Sequence, residues 1–278
     1  MPLSRRARAV IQRWRNSAQR LHQRLGLSTR GMAALVGALG VLGTALLFFA
    51  GLSEDVTQHN GLASEDRSHL RFFIHHRTTQ LVQDARWVTQ LGSVGVLAVL
   101  ALVVAAVLWF RGTRLLMAVA PGLALGVAGV CVAIAKQLVG RARPPVSLHR
   151  VTEAGASFPS GHATDSTAFY LTLGLVMAVV VLRRPVARIA TVAGAAMLSA
   201  AIGTSRLLLG VHWPTDVLAG WALGATAALA VTLLVTLIAR FVHVDGPTPE
   251  GRMARFSHRF AHLALLSRPP KASLASRR

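Results

Sequence analysis

The stretch LLMAVAPGLALGVAGVCVAIAKQLV, residues 115–139, decides what kind of fold this chain can adopt. It contains a single charged side chain, Lys136, which lies close to its end. An α-helix rises about 1.5 Å per residue, so about 20 apolar residues are enough to cross the hydrocarbon core of a bilayer. The stretch therefore predicts a membrane-spanning helix, and similar segments elsewhere in the chain would make it a polytopic membrane protein.

Five further segments have this character. Of the 278 residues, 53% are hydrophobic and 14% are charged, whereas a soluble domain carries about a quarter charged residues. The mean hydropathy is +0.51. We therefore predict an all-α membrane protein with six transmembrane helices, of which the five others lie near Gly31–Leu52, Leu91–Phe110, Ala163–Leu182, Val186–Thr204 and Trp213–Ala239.

The net charge of +20 is distributed as in a membrane protein rather than a nucleic-acid-binding protein. Eight of the thirty Lys and Arg residues lie in residues 1–31, and eight lie from Arg240 onward. Excess positive charge beside spans indicates the cytoplasmic side. We therefore predict a plasma-membrane protein with both termini and two short connections in the cytoplasm; the connections carry Arg111, Arg114, Arg183, Arg184 and Arg188.

The basic tails are predicted to be separate from the membrane domain. We divide the chain into a basic amphipathic segment at 1–30, a six-span domain at 31–240 and a basic tail at 241–278. Apolar residues recur at helical spacing within 10–25 and within 253–263, as in helices that lie on a membrane surface. These tails would bind anionic lipid headgroups rather than nucleic acid; protein partners cannot be predicted. The alternative is a disordered basic tail.

Three connections, 53–90, 140–162 and 205–212, are predicted to face outward. Three clusters of residues suited to binding phosphate lie in these connections or at the adjoining ends of spans. The first is Lys136 with Arg143, an ammonium and a planar guanidinium that can converge on one oxyanion. The second is the sequence PSGH at 159–162, whose helix N-terminus, hydroxyl and imidazole suit a phosphate. The simpler interpretation of the first cluster is that its basic residues snorkel from the end of a helix to the membrane interface. The simpler interpretation of the second is an ordinary helix cap.

The third cluster contains the residues of a nucleophile and its orienting group. Arg206 adds a third cation, and His212 precedes Asp216 by four residues around Pro214, which can begin the sixth span. That spacing lets the carboxylate hold one imidazole nitrogen and leaves the other free to attack. A helix-capping acid beside an interfacial histidine is the alternative. The three clusters together favour a phosphate-handling active site.

The complete pattern closely resembles the type 2 phosphatidic acid phosphatase superfamily, which shares its helical catalytic core with vanadium haloperoxidases and bacterial acid phosphatases. The motifs of that family are K-x6-R-P, P-S-G-H and S-R-x5-H-x3-D, and every specified position is met. The resemblance covers roughly residues 60–240. The matching residues are Lys136, Arg143, Pro144, Pro159, Ser160, Gly161, His162, Ser205, Arg206, His212 and Asp216.

The resemblance implies a role for each matching residue. His212 would attack phosphorus while Asp216 orients it, and His162 would protonate the leaving oxygen and then activate water. The phosphoryl oxygens would be bound by Lys136, Arg143, Ser160, Gly161 and Arg206. No metal or other cofactor would be needed. The implied function is hydrolysis of a membrane lipid phosphate or diphosphate through a phosphohistidine. The distribution of Lys and Arg, rather than the resemblance, predicts that the site faces the extracytoplasmic side.

The favoured substrate is a polyprenyl carrier such as undecaprenyl diphosphate, with phosphatidic acid and phosphatidylglycerol phosphate as alternatives. A lipid phosphotransferase is a related alternative, and a transporter or lipid-binding protein with an inert site is the non-enzymatic one. Among the other polar residues, Arg141, Arg150 and Glu153 are interpreted as surface-loop residues, with contact to a lipid headgroup as the alternative. Tyr170 is interpreted as a helix-packing residue. Asp165, one turn into the fourth span, is favourably placed at a helix N-terminus.

Overall fold

The computed structural model describes residues 28–241. The two predicted amphipathic tails, around 10–25 and 253–263, lie outside these residues. The described part contains helices and turns and no strand. Its α-helices are α1 (Thr29–Gln58), α2 (Gly61–Ser64), α3 (Asp66–His76), α4 (Thr79–Gln90), α5 (Val94–Phe110), α6 (Leu115–Val139), α7 (Gly161–Val176), α8 (Pro185–Leu208) and α9 (Pro214–Phe241).

The all-α membrane fold predicted from the sequence is confirmed. Five helical segments are long and apolar enough to span a membrane: α1, α6, α7 with the π-helical turn Met177–Val181, α8 and α9. A sixth span is formed only if α4 and α5, which meet at an angle of 47°, are counted together. The predicted second span began at Leu91, but α5 begins at Val94 and has 17 residues by itself.

The bend between α4 and α5 is held by a contact with α7. The Tyr170 hydroxyl donates a hydrogen bond of 2.9 Å to the carbonyl of Leu91. Gly92 lies against His162, and a side chain there would meet Ile202 at 2.4 Å. The bend itself therefore lies against the beginning of α7, and Tyr170 fixes this junction in addition to packing.

Close packing of α7 against α9 forms the centre of the bundle. Gly220 and Gly224 are one turn apart on α9, and a side chain at either would collide with the α7 backbone. Small residues at this spacing let two helices approach closely. The buried cluster beside this contact is rich in alanine, with Ala120, Ala124 and Ala128 of α6 fully buried. Tight backbone packing therefore fixes the beginnings of α7 and α9 relative to each other.

The outward surface of the bundle is strongly apolar. Leu102 is 73% exposed, Leu138 is 80% exposed and Ile189 is 71% exposed. Such a surface would be costly in water and is suited to lipid. With its five or six spans, the chain is a multi-pass membrane protein.

Candidate active site

His212 lies in the short connection between α8 and α9, and its imidazole is fixed on both sides. Its Nδ1 lies 3.3 Å from Oδ2 of Asp216. Its Nε2 lies 3.2 Å from Nη1 of Arg143. A guanidinium can only donate, so Nε2 is the acceptor and Nδ1 carries the proton that Asp216 accepts. The tautomer thus leaves the lone pair on Nε2, the nitrogen that faces the cations.

Asp216 is fully buried at the beginning of α9, and each of its carboxylate oxygens has strong partners. Oδ2 accepts a hydrogen bond of 2.9 Å from the backbone N–H of Trp213, in addition to that from His212. Oδ1 accepts one of 2.6 Å from Nη1 of Arg141. A buried carboxylate with these donors stays ionised and immobile, as an orienting group requires.

Arg141 extends this network to a second buried carboxylate. Its Nη2 lies 2.6 Å from Oδ2 of Asp66, at the beginning of α3. Asp66 also accepts from the backbone N–H and the hydroxyl of Thr215, the second residue of α9. Arg141 therefore joins α3 to α9 and is not the surface-loop residue predicted from the sequence.

Arg143 bridges the nucleophile and the loop before α7. Its guanidinium donates to the carbonyl oxygens of Ala154, Gly155 and Val211 at 2.9–3.1 Å. These bonds fix the plane of the guanidinium beside Nε2 of His212. The side chain is 9% exposed. Arg143 is therefore held in place before any phosphate arrives.

Lys136 and Arg206 are bound to the same loop. Nζ of Lys136 donates to the carbonyl of Ala156 at 2.7 Å. Arg206, 1% exposed, donates to the Thr89 hydroxyl at 2.8 Å and pairs with Glu153. Nε of Arg206 is buried without a hydrogen-bond partner in the described part of the chain. One donor of this guanidinium therefore remains available to a bound anion.

Glu153 links two of the three cations. Its carboxylate pairs with Arg206 and lies 3.5 Å from Nη2 of Arg143. Burial raises the pKa of the Glu153 carboxyl, but Arg206 and then Arg143 outweigh this effect and the pKa is lowered. The side chain is 23% exposed. The prediction that Glu153 is a surface-loop residue is therefore also wrong.

The beginning of α7 offers two further donors. Ser160 is the residue before the helix, and its buried hydroxyl has no hydrogen-bond partner among residues 28–241. Gly161 is the first helical residue, so its N–H has no carbonyl one turn before it in the helix. The N–H of Ser160 donates to the carbonyl of Asp216 at 3.0 Å. This bond joins the beginning of α7 to the beginning of α9.

His162 follows in the first turn of α7 and is half-buried. Its ring lies over Gly92 at the α4–α5 bend.

The charge state of the nucleophile follows from its surroundings. At His212, burial lowers the imidazole pKa to about 4, although Asp216 opposes the shift by hydrogen bond and charge. Arg206 and Arg143 lower it further. The His212 imidazole is therefore neutral at physiological pH, as a nucleophile must be.

The structure brings together the residues of all three predicted clusters. Direct contacts run from Arg143 to His212, from His212 to Asp216, and from Asp216 to the backbone N–H of Ser160. Glu153 joins Arg143 to Arg206. Sequence reasoning missed Asp66, Arg141 and Glu153 as members of this network. Across residues 28–241, no group of three or more His, Cys, Asp or Glu side chains could hold a metal ion.

The chain is similar in sequence to a known protein family and to curated phosphatases. Residues 117–240 match the PAP2 superfamily. The "Lipid A 1-phosphatase" of Rhizobium johnstonii is 34% identical over 118 residues, which are 38% of this chain and 43% of that protein. The "Decaprenylphosphoryl-5-phosphoribose phosphatase" of Mycobacterium tuberculosis is 38% identical over 108 residues, 38% of this chain and 54% of that protein. The chain thus spans about half the length of these curated relatives.

A solved structure extends the likeness beyond the motifs. The crystal structure of the "first transmembrane PAP2 type phosphatidylglycerolphosphate phosphatase from Bacillus subtilis" superposes with a TM-score of 0.66 at 25% identity. The match covers 72% of this chain and 98% of that one. This chain is therefore a multi-pass membrane protein whose residues 117–240 are similar to the PAP2 superfamily.

Proposed function

We propose that the chain is a membrane lipid phosphatase that works through a phosphohistidine on His212. The observation that carries the proposal is the oriented imidazole. Asp216 holds Nδ1 at 3.3 Å, and Arg143 lies 3.2 Å from the free Nε2. A neutral nucleophile faces a set of cations, which is the arrangement that phosphoryl transfer requires.

In the first step, the Nε2 lone pair of His212 attacks phosphorus and forms an N–P bond. The P–O bond to the lipid breaks, and His162 gives its proton to the departing oxygen. The imidazolium that forms is stabilised by Asp216, whose charge is held in place by Arg141. Negative charge on the phosphoryl oxygens is balanced by donors that the fold has already positioned. These are Lys136, Arg143, Arg206, the Ser160 hydroxyl and the Gly161 N–H.

In the second step, water attacks the phosphohistidine. His162, now neutral, takes a proton from the water as the new O–P bond forms. The P–N bond breaks, inorganic phosphate leaves, and His212 returns to its neutral form. His162 is thus acid in one step and base in the next, which restores the starting protonation state. We propose no metal in either step, because the residues supply both the nucleophile and the cations.

The proposed substrate class is a lipid with a terminal phosphate or diphosphate, and we favour a polyprenyl diphosphate such as undecaprenyl diphosphate. The curated relatives named above are phosphatases of lipid phosphates, which supports the class. Phosphatidic acid and phosphatidylglycerol phosphate share the terminal group that the site would bind. A phosphotransferase would use the same first step and differ in the acceptor of the second.

Phosphate release from purified protein across a panel of lipid phosphates tests the proposal. We expect release of inorganic phosphate that survives exhaustive EDTA treatment and is inhibited by vanadate, which adopts the five-coordinate geometry of the transition state. A phosphotransferase would instead pass the label to an added lipid or sugar acceptor. Loss of activity with EDTA and its recovery with a divalent ion would contradict the proposed chemistry.

We also propose that the site faces the extracytoplasmic side of the plasma membrane, with both termini in the cytoplasm. The distribution of Lys and Arg along the chain supports this orientation. Single cysteines at Ser147 and Arg184, both exposed, would test it in a Cys131→Ser background. In intact cells, an impermeant thiol reagent should label Ser147→Cys and spare Arg184→Cys. The reverse pattern would place the site in the cytoplasm.

A further inference from the structure

A groove with a cavity volume of about 840 Å³ lies beside the candidate active site, between α3 and the connection that follows α6. Three arginines line it, together with apolar side chains that include Leu70 and Trp213. Cavities of this size hold small organic ligands. Its lining combines positive charge with hydrocarbon, so its chemistry suits an anionic lipid rather than a neutral solute.

Arg143 belongs to both the groove and the active site. Its guanidinium lies 3.2 Å from Nε2 of His212, and Arg143 is also one of the residues that line the groove. Trp213, the residue after the nucleophile, is part of the same wall. A molecule with a phosphate at His212 would therefore have neighbouring atoms at the mouth of this groove.

The other two arginines, Arg67 and Arg71, lie one turn apart on α3. Leu70 and Ile74 share their helix face, at the i, i+3, i+4 and i+7 spacing that places side chains on one side. Both arginines are exposed, and across residues 28–241 neither has an ion pair or a side-chain hydrogen bond. Like charges at this spacing destabilise a helix slightly. The fold therefore gains nothing from the pair, which leaves it available to a ligand.

We propose that the groove binds a second anionic group of the substrate, beyond the phosphate that is removed, through Arg67 and Arg71. The substrate class is a lipid with two phosphate groups, either adjacent in a diphosphate or separated by a short headgroup. The apolar part of the wall would contact the hydrocarbon beside the second phosphate. This inference rests on the proposed function, because it assigns the specificity of the same site.

Two lipids that differ only in the second phosphate test the inference. The full-length Arg67→Gln/Arg71→Gln protein, purified in detergent, is compared with wild type on undecaprenyl diphosphate and undecaprenyl monophosphate. For the diphosphate, we expect kcat/KM to fall about 10- to 100-fold, mainly through KM, because two charge-assisted contacts are lost. For the monophosphate, the change should stay below about 2-fold, since the second anion is absent.

Arg150→Gln is the matched control. Arg150 is exposed and on the same side of the bundle, but it lies outside this groove. The Arg150→Gln substitution should leave kcat/KM unchanged for both lipids. An equal loss on both lipids in the double variant would overturn the inference, because it would indicate general attraction of anionic lipids. An unchanged kcat/KM for the diphosphate would overturn it as well.

Equilibrium binding separates this inference from the proposed function. In a His212→Ala background, the same two lipids are titrated without turnover. The double substitution should weaken diphosphate binding about 10- to 100-fold and leave monophosphate binding unchanged. This result would support the groove even if wild type released no phosphate. Equal binding with and without the two arginines would overturn the groove even if the enzyme were active.

Discussion

Two sets of arginines lie near the candidate active site, and they differ in burial and in the number of their hydrogen-bond and ion-pair partners. Arg141, Arg143 and Arg206 each have several partners and are largely buried. Arg67 and Arg71 on α3 are exposed and have no ion pair within the described residues. A fixed charge stabilises a transition state without reorganisation, whereas a free charge can adapt to a substrate.

We expect the two sets of arginines to have different roles, one in catalysis and the other in substrate binding. Interactions that are stronger in the transition state raise kcat, while interactions that are equal in both states change KM. The paired arginines surround the nucleophile and the carboxylate that orients it. We therefore expect the paired set and its carboxylates to control kcat, and the unpaired set to control KM for some substrates only.

The largest effect is expected from the nucleophile and its orienting acid. His212→Ala should lower kcat by about 10⁴-fold or more, because no other residue in the site can take its role. Asp216→Asn should cost about 10³- to 10⁴-fold, since the amide no longer favours the reactive tautomer. Both are measured as phosphate release from purified protein. Wild-type turnover in either variant, with an unchanged elution profile in detergent, would contradict the assignment.

Arg141 gives a finer test of the role expected for the paired arginines, because it acts on the nucleophile only through Asp216. Arg141→Lys keeps the charge but cannot bridge Asp216 and Asp66 as the guanidinium does. Losing one charge-assisted hydrogen bond of about 1.5–3 kcal/mol corresponds to about a 10- to 100-fold lower kcat. KM should stay unchanged.

The control for a purely structural role is the thermal stability of Arg141→Lys measured beside its kinetics. Asp66→Asn, which weakens the far end of the same network, should also lower kcat more than it raises KM. An effect confined to KM, or a loss of kcat only in proportion to unfolded protein, would show that Arg141 does not position Asp216.

A smaller but more specific effect concerns the ionisation of His212. Burial lowers its imidazole pKa to about 4, below the value of about 6.5 for an exposed histidine. Because the pKa is lowered, the ring stays neutral as pH falls through 6.5 and becomes protonated only near 4. NMR of ring-labelled protein, with His212→Gln for assignment, should show this inflection. An inflection near 6.5 would mean that the ring is exposed to water.

The sequence predicted most of this site because its motifs lie at helix ends. Lys136 ends one span, His162 begins another, and Arg206 and His212 flank a short connection. Antiparallel helices joined by short loops bring such ends together, so spacing along the chain was enough to group them. The length of the apolar runs predicted five spans as single helices, whereas the sixth requires α4 and α5 to be counted together.

What the sequence did not predict are contacts between distant residues. Asp66 meets Arg141 and Thr215 across 75 and 149 residues, and no local pattern indicates that pairing. In the sequence, Arg141 cannot be distinguished from an ordinary basic loop residue beside Arg143. The α4–α5 bend was missed because the apolar run begins at Leu91, whereas the helix before it is amphipathic. Its position depends on Gly92, which lies against Ile202 of α8, and on Tyr170 of α7, which donates a hydrogen bond to Leu91.

The phosphoenzyme is the most direct test of the central claim. Wild type and His162→Gln are mixed with undecaprenyl diphosphate labelled in its terminal phosphate, and the reaction is quenched in alkali within milliseconds to seconds. The departing lipid phosphate needs little protonation, so His162→Gln should form the intermediate and hydrolyse it slowly. We predict near-stoichiometric label on His212 in this variant, mapped by peptide mass spectrometry, and none in His212→Ala. Phosphate release without label on His212, or label on another residue, would contradict the account.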